Sequence, residues 1–180
     1  SMEPSMNNAS NGLRTPTTFN AKSVIGKHRG QKMRRPQFAQ AWALFQRIYG
    51  DGTLATVGNQ IGGKVKANID AQIFTNACAI RMSYVLNRAG VLIPHLANKT
   101  VSGGDHYPYF FRVKDLLEFL RHSLGKPDSI LTGPSTGGLT TKKGLLVFEV
   151  AIWRDASGHA TLWDGVSCSD HCYFLEAKRL

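Results

Sequence analysis

At 180 residues, with 42% hydrophobic residues and a formal charge of +10, the chain has the size and apolar content of a single globular domain with its own core. The charge favours an anionic partner: nucleic acid, an anionic membrane face or an acidic polymer such as a cell wall. The basic residues are scattered, apart from Arg34–Arg35 and Lys142–Lys143, and they do not interleave with aromatics as in a nucleic-acid-binding module, so neither nucleic acid nor a membrane is expected as partner.

Residues 1–35 are rich in Asn, Ser, Thr, Gly, Lys and Arg and have no periodicity. They read as a flexible basic arm, with Ser1–Met2 resembling the remnant of a removed tag. No apolar stretch within residues 1–37 is long enough for a secretory signal, and no run spans a membrane. The expectation is cytosolic residence or export by a route without a cleaved signal. From Pro36 to the end, residues 36–180 read as one domain.

Pro36 suits a first helical turn, and Phe38, Ala41, Trp42, Phe45 and Ile48 then keep helical spacing until Gly50. Ile61–Val65, with Gly62 and Gly63, lacks the spacing of a phosphate-binding loop. It is either a tight turn feeding the next helix or, with Gly104, a cleft wall that a substrate approaches closely. The next helix runs from about Phe74 to Gly90. Asn76 is its expected N-cap, Ala79, Met82, Leu86 and Ala89 form its apolar stripe, and Gly90 ends it. Cys78 then sits in the first turn, where the helix dipole stabilises a thiolate. Val91–Pro94 leads into a polar loop with Gly103, Gly104, Asp105 and His106, and a third helix spans Val113–Leu124. Residues 126–143, including the glycine-rich 133–138, are long for a loop and read as functional or mobile.

The last forty residues change to strand character: Gly144–Trp153, then a turn at 155–158, then His159–Trp163, an Asp164–Gly165 turn, and a third strand from Val166. Helices first and an antiparallel meander last predict an α+β domain whose sheet packs on the Cys78 helix. With Asp164 and Gly165 as a two-residue turn, Trp163 faces Val166, Thr161 faces Cys168 and His159 faces Asp170. An imidazole and a carboxylate are thereby presented side by side, the base and orienting group of a Cys-His-Asp arrangement. Cys78 alone is more readily a small core residue, and a His–Asp pair alone more readily structural. Their combination points to nucleophilic catalysis by Cys78, His159 and Asp170, with the Cys78 backbone N–H as an oxyanion donor.

Cys168 and Cys172 lie four residues apart, roughly 13 Å in a straight strand and beyond disulfide reach. Either the chain bends near Asp170–His171 and a bridge forms, or the strand runs on with free thiols, or Cys168, His171 and Cys172 hold part of a zinc site. His28, His95, His106 and His122 show no functional pattern.

Several long stretches, Ile61–Val65, Phe74–Asn87, Gly158–Gly165 and Cys168–Tyr173, occur in an order that resembles the type VI secretion amidase effector family, group four. The resemblance runs from about Arg35 to Phe174. It implies a papain-like, NlpC-type cysteine amidase fold that cleaves the γ-D-glutamyl–meso-diaminopimelate bond of peptidoglycan stem peptides. It also implies Cys78 as nucleophile, His159 as base, Asp170 as third member, and a Cys168–Cys172 disulfide, with neither cofactor nor metal. The partners implied are the stem-peptide substrate, the type VI secretion apparatus and a cognate immunity protein. The place of action implied is the periplasm of a rival Gram-negative cell.

Overall fold

The computed structural model describes residues 32–131, 137–149 and 158–174, together with the backbone of 17–20. The glycine-rich stretch at 133–136, the end of the Gly144–Trp153 strand and the turn at 155–157 lie outside the described residues.

The first helix, α1 (Phe38–Tyr49), buries Ala41, Leu44, Phe45 and Ile48, the three- and four-residue steps expected of one apolar face. Gly50, at φ 54°, ends it by donating its N–H to the Gln46 carbonyl at 3.3 Å. Two short helices follow that sequence periodicity does not reveal, α2 (Leu54–Ile61) and α3 (Gly63–Asp70). The start of α2 is set by side chains: Thr53 Oγ1 accepts from the Thr56 N–H at 3.3 Å, and the Asp51 carboxylate accepts from the Thr53 N–H and both threonine hydroxyls. With only Val57, Gly58 and Ile61 buried, α2 carries too few apolar residues to announce itself.

Helix α4 (Cys78–Arg88) is the centre of the fold. Its surroundings differ from the one-sided stripe expected from sequence, because Arg81 and Asn87 are buried as well. Both have local partners. Arg81 donates to the Gly52 carbonyl at 2.8 Å and stacks over Tyr49, while Asn87 donates to the Pro108 carbonyl and accepts from the Ile93 N–H. Asn87 is thereby satisfied at both ends of its carboxamide, whereas Arg81 leaves its Nε buried without a hydrogen-bond partner and is held by its Nη2 bond and the Tyr49 ring. The polar loop expected after Pro94 contains a small antiparallel ribbon of β2 (Thr100–Ser102) and β3 (Pro108–Phe110), and α5 (Val113–Leu124) occupies the span expected for the third helix.

The main sheet is antiparallel, with order β4 (Ser129–Ile130), β1 (Thr17–Asn20), β5 (Gly144–Glu149), β6 (Gly158–Trp163). Strand β1 belongs to the stretch read from sequence as an arm without secondary structure. It pairs with β5 from Thr17↔Val147 to Asn20↔Gly144 and with β4 at Thr17↔Ile130 and Thr18↔Ser129, both partners lying far along the chain. Alternation along β5 sends Leu145 and Val147 into the helical core, and Leu146 and Phe148 into a second cluster with Leu139 and Trp163. Along β6, Ala160 and Leu162 join the helical core, so His159 and Thr161 take the opposite face with Trp163.

Candidate active site

The site forms where α4 meets β6, at the end of the sheet order. The outward backbone groups of β6 need partners, and they find two different ones. Ala160 is answered by Cys78: its N–H donates to Sγ at 2.7 Å, and the Cys78 thiol reaches its carbonyl at 3.2 Å. Leu162 is answered by Ser169, whose Oγ accepts the Leu162 N–H at 3.0 Å while the Ser169 N–H donates to the Leu162 carbonyl at 2.8 Å. One strand therefore fixes both the sulfur and the segment that carries Asp170.

Cys78 opens α4, as expected, but the N-cap is Ala77 (φ −91°, ψ 1°) rather than Asn76. Asn76 acts one residue earlier than a cap, with its Oδ1 accepting from the Cys78 N–H at 2.8 Å in an Asx turn. The N–H nominated as oxyanion donor is therefore already engaged, because Ala77 enters the helical turn early enough to bring the carboxamide over it.

The hairpin register differs from the one expected. The bridge pairs Trp163 with Cys168, not Val166, and the Asp164 N–H donates to the Ser167 carbonyl at 3.2 Å. The connection is a four-residue loop, Asp164–Ser167, because the Asp164 carboxylate accepts from the Val166 and Ser167 N–H groups and widens the turn. The pairing shifts by two residues, and an even shift keeps every side chain on its face. Asp170 thus stands opposite Thr161 and diagonal to His159, still within hydrogen-bond reach: His159 Nε2 lies 3.1 Å from Oδ1 and 3.0 Å from Oδ2. The third strand expected from Val166 is reduced to this single bridge, after which the chain bends at Ser169–Asp170. The bend brings the Cys168 and Cys172 Cα atoms to 5.5 Å in a disulfide that encloses Asp170, which leaves no thiol pair there for zinc. Cys78 is the free cysteine.

All three groups are secluded. Cys78 is 2% exposed, His159 is 7% exposed and the Asp170 side chain 1%. The Tyr173 ring lies edge-on to the imidazole, with centroids 4.7 Å apart. Burial opposes protonation of His159, but attraction to the Cys78 thiolate and to Asp170, with hydrogen bonds to both, prevails and raises its pKa from 6.5 to about 10. Burial would push the Asp170 carboxyl up, yet its charge partner His159 and hydrogen bonds from His159, Thr161 and the His171 N–H hold it below the ordinary carboxylate range. The local preference is for an imidazolium beside an ionised carboxylate.

Gly62, Gly63 and Gly104 meet one another. A Cβ on Gly63, at φ +59°, would lie 2.5 Å from the Gly103 carbonyl carbon and the Gly104 nitrogen, and the Gly104 N–H donates to the Ile61 carbonyl at 2.9 Å. Close packing of the α2–α3 joint on the loop before β3 accounts for these glycines. Sequence reading attached no role to Thr161, Ser169 or Tyr173. The two-residue step from His159 to Thr161 along one strand is the signal that places that hydroxyl on the imidazole's face.

A cysteine at the head of a central helix thus stands against a histidine on an antiparallel sheet and an aspartate at the bend that follows it, within an α+β domain. The family model described as "Type VI secretion system (T6SS), amidase effector protein 4" matches residues 74–179, more than half of the chain, and the chain belongs to this family of amidase effector toxins. It is similar to the crystal structure of the type VI effector Tae4 from Enterobacter cloacae, at 46% identity over 80% of this chain and 90% of that one, with a TM-score of 0.73. It is also similar to the Tae4–Tai4 effector–immunity complex from Enterobacter cloacae, at 46% identity over 77% of this chain and 86% of that one, TM-score 0.73. The Tae4/Tai4 effector–immunity system from Salmonella typhimurium matches at 44% identity over 77% of this chain and 87% of that one, TM-score 0.70. No curated protein sequence matches the chain.

Proposed function

We propose that the chain hydrolyses the γ-D-glutamyl–meso-diaminopimelate amide of peptidoglycan stem peptides through Cys78, His159 and Asp170, within a papain-like, NlpC-type domain of residues 36–180 to whose sheet Thr17–Asn20 adds a strand. The observation that carries this reading is the buried imidazole held between a helix-opening thiol and a carboxylate. Asp170 occupies His159 Nε2, which leaves Nδ1 as the nitrogen that takes the Cys78 proton. The thiolate attacks the γ-carbonyl carbon and a C–S bond forms. Collapse breaks the C–N bond as His159 passes its proton to the diaminopimelate amine. Water then attacks the thioester with His159 as base, which frees the D-glutamyl carboxylate and returns the proton to sulfur. Asp170 stabilises the imidazolium in both half-reactions. The formal charge of +10 suits a substrate rich in carboxylates.

By likeness to the Tae4–Tai4 complexes, we further infer an immunity protein that closes the site in the producing cell, delivery by the type VI apparatus, and action in the recipient's periplasm. Digestion of purified sacculi tests the chemistry. Wild type releases fragments whose masses end in D-glutamate on one side and begin with diaminopimelate on the other, and folded Cys78→Ala and His159→Ala each release none. Release of other fragments overturns the bond assignment, and wild-type release by either variant overturns the residue assignment.

A further inference from the structure

We propose that Thr161 is a positioning residue for the site, donating the hydrogen bond that fixes the Asp170 carboxylate and, through it, the placement of His159 against Cys78; this rests on the assignment of those three groups above. Thr161 is fully buried and lies directly opposite Asp170 in the observed register, with Oγ1 2.6 Å from Asp170 Oδ1. An ionised carboxylate can only accept, so the single Thr161 proton points to it. Thr161 Oγ1 also lies 3.0 Å from Ser169 Oγ, and with its own proton committed it accepts there. Ser169 Oγ in turn accepts from the Leu162 N–H at 3.0 Å.

The protons therefore run one way, from the Leu162 amide to Ser169, to Thr161 and to Asp170. In such a chain each bond polarises the next, and the carboxylate is the end that gains. The His171 N–H reaches the same oxygen at 2.6 Å, so Oδ1 is fixed by two donors besides His159. That arrangement leaves Oδ2 for His159 Nε2 at 3.0 Å. The titratable groups around Asp170 include His159 on β6 and, through it, Cys78 on α4 and the Tyr173 ring against the imidazole, with His171 next in the chain, while α1 contributes the uncharged Gln46, whose Nε2 donates to the Ser169 carbonyl at 3.3 Å.

The test uses Cys78 as reporter, the free thiol beside a disulfide, in the full-length oxidised protein. The rate of its alkylation by iodoacetamide is followed against pH in wild type, Thr161→Val, Thr161→Ser and Ser169→Ala. Valine keeps the branched shape and removes the hydroxyl, so the carboxylate is no longer held in place against His159 Nε2, the imidazolium beside the sulfur is less supported, and the acid limb moves to higher pH by about 0.5–1 unit, a roughly three- to tenfold slower reaction on that limb. Thr161→Ser restores the wild-type limb. Ser169→Ala, which leaves Thr161 in place, shifts it in the same direction by less and provides the measurement if the valine variant does not fold. On sacculi the same variants lower kcat and leave KM unchanged. A Thr161→Val limb superimposed on wild type, a Thr161→Ser limb displaced as far as valine, or an unshifted limb in Ser169→Ala with the valine variant unfolded each overturns the proposal. Failure of wild type to digest sacculi would instead defeat the assigned reaction, while the alkylation profiles still decide the role of Thr161.

Discussion

Replacing Asp170 by Asn isolates the charge of the carboxylate from its shape. Oδ1 receives the Thr161 hydroxyl at 2.6 Å and the His171 N–H at 2.6 Å, both donors, so the asparagine carbonyl must take that place. The amide NH2 is then directed to the Oδ2 position, 3.0 Å from His159 Nε2, and donor meets donor. The ring resolves the conflict by surrendering the Nε2 proton and carrying it on Nδ1, the nitrogen that the proposed mechanism needs to take the Cys78 proton. Held in that tautomer, His159 is no longer a base toward the thiol, and the imidazolium has also lost its anionic neighbour. Wrong-tautomer variants of nucleophile–histidine–aspartate enzymes lose roughly ten-thousand-fold in kcat. The remaining carbonyl, 3.1 Å from Nε2 at the Oδ1 position, lets a fraction of rings keep the productive tautomer. The expected fall in kcat is therefore about one hundred- to ten-thousand-fold, with the melting temperature close to that of wild type. Muropeptide release from sacculi, quantified by mass, measures it. A folded Asp170→Asn protein within threefold of wild type would refute the argument that Asp170 sets the tautomer.

The elevated His159 pKa implies that stabilisation from its imidazolium is complete below pH 6.5 and is lost as pH rises toward and through about 10, whereas the Asp170 contribution is present above its ordinary pKa of 3.8 and is lost as pH falls below it. The melting-temperature gap between wild type and His159→Ala should narrow from pH 6.5 to 10, and a gap constant over that window would contradict the ion pairing. Gly63→Ala forces a Cβ into the Gly103–Gly104 backbone at a positive φ and should cost about 2 kcal/mol or more, lowering the melting temperature by about 4–8 °C; an unchanged melt would show that the α2–α3 joint yields freely. Fusion to an export signal should make the protein lyse a Gram-negative host, while cytoplasmic expression leaves growth intact; equal killing from the cytoplasm would point to a target other than the cell wall.

Sequence by itself determined the elements whose signals are local. The apolar steps of Phe38–Tyr49 and Val113–Leu124 carry a full helical period, and Gly50 and Gly125 end them. The turn chemistry of Asp164 and Gly165 placed His159 and Asp170 on one face, and that survived a misjudged loop length because the register error was even. Tertiary structure decided the rest. Helices α2 and α3 bury too little apolar surface to show a period, and β1 becomes a strand by pairing with β5, more than a hundred residues away. The Asp164 side chain widened the turn and so gave Asp170 its Thr161 partner, and Asn76 took the Cys78 N–H that the sequence left open. These contacts depend on where a neighbouring backbone group stands in space. Periodicity and spacing report only how a segment relates to itself, so the meeting of His159 with Asp170 was legible while the hydrogen bonds around them were not.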